Sequence, residues 1–174
     1  MTVYRLGATA PDIDPTAFVH PDAIIIGAVT IGAHASIWPT AVLRADFGTI
    51  TVGARSSIQD GTVLHTSHAW PTVIGADCVV GHNAHLEGAV IGDRCLVGSM
   101  STCLQRVVVG ESSLVGASAL LTEGTHVPNF SRALGAPASI EPHRDADAFV
   151  SVLTAGVAEY LDNARRYRET MVVV

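Results

Sequence analysis

The amino-acid sequence predicts an all-β solenoid, a parallel β-helix of hexapeptide repeats finished by one C-terminal α-helix. Three observations predict it. Aliphatic residues recur every six positions through most of the chain. Hydrophobic residues make up 48 % but aromatic ones only 5 %, so the apolar content is aliphatic and suits a narrow core. Near the C-terminus the apolar spacing changes to threes and fours, the mark of a helix. At 174 residues the chain makes a single domain.

From Ala23 onward the chain divides into hexads with an aliphatic third residue. These are Ile25, Ile31, Ile37 and Leu43, then Val52, Ile58 and Leu64, then Ile74, Val80 and Leu86. They continue as Ile91, Val97, Cys103, Val109, Val115, Leu121 and Val127, where only Cys103 is not Val, Ile or Leu. A six-residue period is neither helical nor simple strand alternation. Each hexad makes one short strand and a corner, and three hexads make a triangular coil whose inward residues stack on the next coil. Seventeen hexads give roughly six coils, enough stacked repeats for a core. The fourth position is often Gly, as in the Ile-Gly pairs at 31–32, 74–75 and 91–92, where a turn favours it. Three irregularities interrupt the count: Phe47 to Thr49 are extra, His68 to Pro71 are extra, and the hexad from Ala84 is one residue short.

The elements then follow in order. Residues 1–22 read as an irregular lead-in and 23–130 as the β-helix. Residues 131–146 read as an exit loop with Pro137 as breaker. Residues 147–170 read as a helix along the outside of the prism. Its apolar residues are Phe149, Val152, Leu153, Val157, Tyr160, Leu161, Ala164 and Tyr167, and Arg165, Arg166 and Arg168 near its end complement the dipole.

Composition narrows the function. All ten basic residues are arginines and the net charge is −6. Without lysine there is no Schiff-base chemistry and no Walker A site. An acidic chain with no basic run is a poor nucleic-acid binder. Mean hydropathy is +0.38, and Ala23 to Leu43 carries no charge, but its recurrent Gly, His34 and Pro39 argue against a membrane span. The start MTVYRLG lacks the apolar core of a signal peptide. Cys78, Cys95 and Cys103 sit in aliphatic surroundings without CxxC spacing, which suggests buried thiols and a cytoplasmic protein.

Folding the polar residues through the hexad count aligns some of them. Arg44, His65 and Glu87 each follow an inward residue in successive coils and stack on one edge, about 5 Å apart. Asp60 and His82 form a second column, with Gln59 beside Asp60. Asp46 lies next to the first column. Any one of them alone is an ordinary solvent-facing turn residue; His20, His34, His68, His126 and His143 show how common histidine is here. His85, beside the inward Leu86, is expected to be a wall residue.

These residues belong to longer motifs: SIWPTAVLRAD at 36–46, SIQDGTVLH at 57–65, VGH at 80–82, IGDRCLVG at 91–98 and LGAPA at 134–138. Together they resemble the γ-class carbonic anhydrase homologues of the left-handed β-helix superfamily, over nearly the whole chain. The resemblance implies a left-handed coil and a homotrimer with sites at subunit interfaces. It also implies a divalent metal, Zn2+ with Fe2+ or Co2+ as alternatives, held by three histidines from two subunits. His65 and His82 match two of these ligands. The third falls on Glu87, where the family has histidine; His85 is expected to point to the opposite face and to be a poor substitute. The resemblance gives Arg44 and Asp46 an interface ion pair, gives Gln59 the orientation of a metal-bound hydroxide, makes Asp60 its acidic neighbour, and matches Tyr160 to an active-site tyrosine. Phe47 stands where some active members carry Glu.

Glu87 leaves three outcomes. Two His and one Glu hold zinc in metallohydrolases, though a carboxylate makes the metal a weaker Lewis acid and raises the pKa of its water. The metal is otherwise lost and Glu87 pairs with Arg44 or His65. In the third outcome the trimer survives as a silent scaffold. The expected function is hydration of CO2 or attack on a small carbonyl or ester substrate, and the alternative enzyme class is an acyl-CoA-handling acyltransferase or thioesterase.

Overall fold

A computed structural model describes residues 2–173, leaving Met1 and Val174 outside the description. It is a left-handed β-helix of about seven turns with one C-terminal helix. Short parallel strands stack in register into three walls. Val63–His65 pairs with both Val42–Val52 and His85–Glu87 in the first wall. Thr72–Ile74 and Val90–Ile91 pair in the second, and Ser57–Ile58 and Val79–Val80 in the third. Ile24–Ile31 and Val42–Val52 run unbroken round one corner and join the first wall to the second. Among the described residues no helix is long and apolar enough to cross a membrane.

The period explains the core. Every third-position residue from Ile25 to Val127 is at most 1 % exposed, Cys103 included. First-position residues at one corner form a polar ladder. Ser56 Oγ donates to the Gly75 carbonyl at 2.7 Å and accepts from Cys78 N at 2.9 Å. Cys78 Sγ and Cys95 Sγ contact the carbonyls of Gly92 and Gly110, each at 3.1 Å. Ser113 Oγ donates to the Pro128 carbonyl and accepts from Ser131 N. Small side chains with a donor are needed there because the corner's main-chain groups are buried and require partners.

The fourth-position glycines have a different cause from the one expected. They are not the residues with positive φ. That conformation falls two residues later, on His34, Arg55, Asp77, Arg94 and Met100 among others. The glycines lie where coils touch. A Cβ on Gly53 would stand 2.4 Å from the Gly75 carbonyl carbon, and one on Gly98 would stand 2.4 Å from Ala117 N.

Three boundaries differ from expectation. The expected lead-in is a full coil: Thr2–Tyr4, Asp12–Ile13 and Phe18–Val19 each pair in parallel with the coil above. This raises six coils to about seven. The expected exit loop contains an antiparallel hairpin, Ser131–Leu134 with Ser139–Pro142. The helix runs Ala146–Thr170, capped by Asp145, whose Oδ1 accepts from Ala148 N at 2.9 Å. Its Leu153 and Val157 pack on Val79, and its Ala164 on Phe18 and Trp38. Val152, expected on that face, is 72 % exposed. Arg168 ties the far end to the first coil, donating to the carbonyls of Thr16 and Ala17 at 2.8 Å each.

Candidate functional site

The first expected column is present. Arg44 is in register with His65, and His65 with Glu87, on successive strands of the first wall. All three sit at the corner where the first wall meets the second. Arg44 donates to Asp46 Oδ2. Asp46 Oδ1 lies 3.0 Å from His65 Nε2. The other ring nitrogen, Nδ1, faces Glu87 Oε2 at 3.8 Å. Partial burial pushes the Asp46 carboxyl up, but the hydrogen bonds from His65, its own backbone and Arg44 outweigh this, and its pKa lies below the ordinary value. Glu87 is likewise held low, first by a hydrogen bond from Gln105 Nε2 to Oε1 at 3.0 Å, against desolvation, with His65 and His85 adding favourable charge.

Two features of this corner escaped sequence reasoning. Gln105 fixes the carboxylate of Glu87. The extra residues at 47–49 and 68–71 both bulge at the same corner, on adjacent coils. Phe47 stands against His65 and His68, with ring centroids 6.0 and 4.4 Å away. Trp70 lies under the Arg106 guanidinium at 6.0 Å and against Gly88. Phe47 and Trp70 are both exposed large apolar residues, and they rim the charged column.

The expectation for His85 is corrected. It shares the outward face with Glu87, as residues two apart on a strand must, and its Nε2 lies 3.6 Å from Glu87 Oε2.

The second column is present but lies elsewhere. Asp60 Oδ2 is 3.0 Å from His82 Nδ1, at the corner between the third wall and the first. Four residues of chain, Gly61 to Leu64, lie between Asp60 and His65, which stand at opposite ends of one wall strand. Gln59 is buried, with its Nε2 donating to Ser57 Oγ at 2.6 Å. Ser57 Oγ and Ser36 Oγ also accept from Trp38 Nε1. Tyr160 reaches this side from the helix and packs edge-on against Trp38, with centroids 6.1 Å apart. Burial pushes its phenol up, with smaller contributions from Glu159 and Asp60. One chain therefore holds two half-constellations at opposite edges of the first wall. Among the described residues no three His, Cys, Asp or Glu side chains are gathered closely enough to hold a metal ion.

Known proteins share this arrangement of coils. Residues 71–105 match the family described as bacterial transferase hexapeptide (six repeats). The carnitine operon protein CaiE of Escherichia coli strain K12 is 38 % identical over 138 residues, 79 % of this chain and 70 % of the relative. CaiE of Proteus sp. strain LE138 is 34 % identical over 99 % of this chain and 87 % of its own length. The chain belongs to the CaiE family of hexapeptide-repeat proteins. Its fold is also that of solved structures. A hexapeptide transferase family protein from Anaplasma phagocytophilum matches at TM-score 0.91 and 35 % identity, over 95 % of this chain and 98 % of the other. A Bacillus cereus gene product proposed to be an acetyltransferase matches at TM-score 0.93 and 28 % identity, over 97 % of each chain.

Proposed function

We propose that this CaiE family member is a metal-dependent enzyme acting on CO2 or a small carbonyl or ester substrate, with each site completed between two subunits of a homotrimer. The carrying observation is the state of two of its histidines, His65 and His82. Each has one ring nitrogen on a carboxylate, His65 on Asp46 and His82 on Asp60, and each keeps the other nitrogen for a ligand. A carboxylate on the far nitrogen is the usual second partner of a metal-binding histidine, because it sets the tautomer and ring orientation. The donor types fit Zn2+, Fe2+ or Co2+. His65 and Glu87 would come from one subunit and His82 from its neighbour, since His65 ends the strand Val63–His65 while His82 pairs with Asp60 before it, and the described residues of one chain gather no such trio. When bound, the ion supplies Lewis acidity and lowers the pKa of a water molecule.

The chain's own residues supply the rest. Arg44 holds Asp46, and Asp46 orients His65. Gln59, clamped by Ser57, and Asp60 arrive with His82 from the adjoining subunit and position the attacking water. Tyr160 lies on that same side. Phe47 and Trp70 give the site an apolar rim that suits a small, weakly polar substrate. Three buried free thiols suit a cytoplasmic setting.

Metal analysis of protein purified without chelator, with CO2 hydration and ester hydrolysis assays, tests this reading. His65→Ala and His82→Ala should each abolish turnover. Mixed after dissociation and reassembly, the two inactive variants should regain part of it, because a mixed trimer can form an intact site. A trimer that takes up neither Zn2+ nor Co2+ overturns the reading and leaves a scaffold.

Acyl transfer is the second reading, favoured by the transferase descriptions of the Anaplasma and Bacillus structures. It predicts turnover of an acyl-thioester in a groove between subunits. Inertness towards a panel of acyl-CoA substrates counts against it.

A further inference from the structure

Two of the arginines near the end of the helix line a cleft. Leu161, Ala164, Arg165 and Arg168 recur at helical spacing and share one face. That face meets the corner between the second and third walls, where Thr16, His34 and Arg55 stand on successive coils. Between them lies a cleft of about 540 Å3. We propose that this cleft binds a small organic anion, a carboxylate head on an apolar body. The corner carries neither histidine column, so the inference is independent of the metal-site reading.

The floor is apolar and fixed by packing. Phe18 and Ala164 are buried together against Trp38, and Ala35 belongs to the main core, with Leu161 beside them. The rim is cationic. Arg55, Arg165 and Arg168 bring three of the ten arginines of a chain with net charge −6 to one place. Each guanidinium is held in position, yet keeps donors. Arg55 gives Nε and Nη2 to Asp77 at 2.7 and 2.6 Å, which leaves Nη1 outside the pair. Arg165 gives only Nη2, to Asp162 at 2.7 Å. Arg168 gives Nη2 to the carbonyls of Thr16 and Ala17, and it has no carboxylate partner among the described residues. A guanidinium carries five N–H donors, so all three retain some for an anion. Holding them beforehand lowers the ordering cost of binding. Glu169 is the one carboxylate residue among those lining the cleft, so the lining stays net positive. An inorganic anion would satisfy the rim and leave the floor wet, whereas an apolar body covers it.

Isothermal titration calorimetry of the full-length oligomer with octanoate tests the proposal, with acetate for the head alone and 1-octanol for the body alone. Octanoate should bind once per chain, at least about tenfold more tightly than either fragment. Arg165 and Glu169 are both exposed and outside the core, so their variants keep the fold. Arg165→Gln should weaken octanoate binding about tenfold, and Glu169→Gln should tighten it. Arg94→Gln removes an arginine of the same corner that pairs with Glu111 outside the cleft, and it should change nothing. Absence of saturable octanoate binding overturns the proposal. Acetate binding as tightly as octanoate shows an adventitious ion only and overturns it too. So does octanoate affinity that Arg165→Gln and Glu169→Gln leave unchanged, or that Arg94→Gln lowers as much as Arg165→Gln does.

Discussion

Replacing Gly53 by Ala tests why the repeat keeps glycine at its fourth position. The added Cβ would lie 2.4 Å from the Gly75 carbonyl carbon, 2.5 Å from its oxygen and 2.6 Å from Ala76 N. Carbon atoms in good contact are about 3.5–4.0 Å apart, so the overlap exceeds about 1 Å. Every clashing atom is main chain and cannot rotate away. The coils are also tied locally by Gly53 N donating to the Ile74 carbonyl at 2.8 Å. Overpacking costs about 1–3 kcal/mol, and a rigid wall belongs at the upper end. Loss of unfolded-chain freedom returns about 0.4–1 kcal/mol. The net is a destabilisation of about 2 kcal/mol, or about 4–8 °C in Tm for a chain of this size. Gly156→Ala is the matched control. It lies inside the helix, where an added Cβ meets nothing within 4 Å, and it should stabilise by about 1 kcal/mol. Thermal and urea unfolding at one protein concentration measure both. A Gly53→Ala protein as stable as wild type would refute the close-approach account.

Three further outcomes are expected. Glu87→His should raise CO2 hydration by about tenfold or more if the Arg44–Asp46 and Gln59–Asp60 groups are intact; stopped-flow assays read the change, and no gain would show that the rest of the site has drifted. Asp46→Asn should be less stable than wild type at neutral pH. Because the folded pKa of Asp46 is depressed, its contribution is present above the unfolded value of about 3.9 and lost as pH falls through the folded value; urea midpoints should therefore converge in acid. The hydrogen bond to Cys95 and burial raise the Cys78 thiol, and burial pushes Cys103 up to about 12. Iodoacetamide should scarcely label either cysteine in native protein and should label both in denaturant, as read by mass spectrometry.

The solenoid was legible because its core obeys one rule. An inward aliphatic residue every six positions places each side chain against its equivalent one coil away, and Ile25 through Val127 comply. What escaped were features outside that rule or at its margin. The first coil carries the same period, since Ile13 and Val19 stand 12 and 6 residues before Ile25 and pair with Ile31 and Ile37. It escaped because Val3 and Ile13 stand ten residues apart and because Val3, Ile13 and Val19 are only partly buried at the end of the stack. Residues 131–142 reverse direction, and periodicity does not report strand direction. The glycines were found but misexplained, since sequence shows that a side chain is missing and not whether φ or a neighbour forbids it. The columns Arg44–His65–Glu87 and Asp60–His82 followed from counting. The placement of His85 failed although alternation alone puts it with Glu87. The strongest overlooked signal was irregularity. The insertions at 47–49 and 68–71 and the short hexad at 84–88 fall on three consecutive coils at one corner, where the repeat was interrupted to build Phe47, Trp70 and the charged cluster.

The final hairpin bears on how long such a molecule can grow. A parallel coil presents its last strand as a template for another coil, whether from its own chain or from a second molecule. Ser139–Pro142 occupies that edge on the third wall with the opposite polarity, and it ends in a proline that has no N–H to donate. A strand reversed and blunted in this way does not offer the in-register parallel ladder that the other coils share. The same short segment that finishes the prism therefore withdraws the parallel template from the third wall, so a coil from another molecule would find no matching edge there.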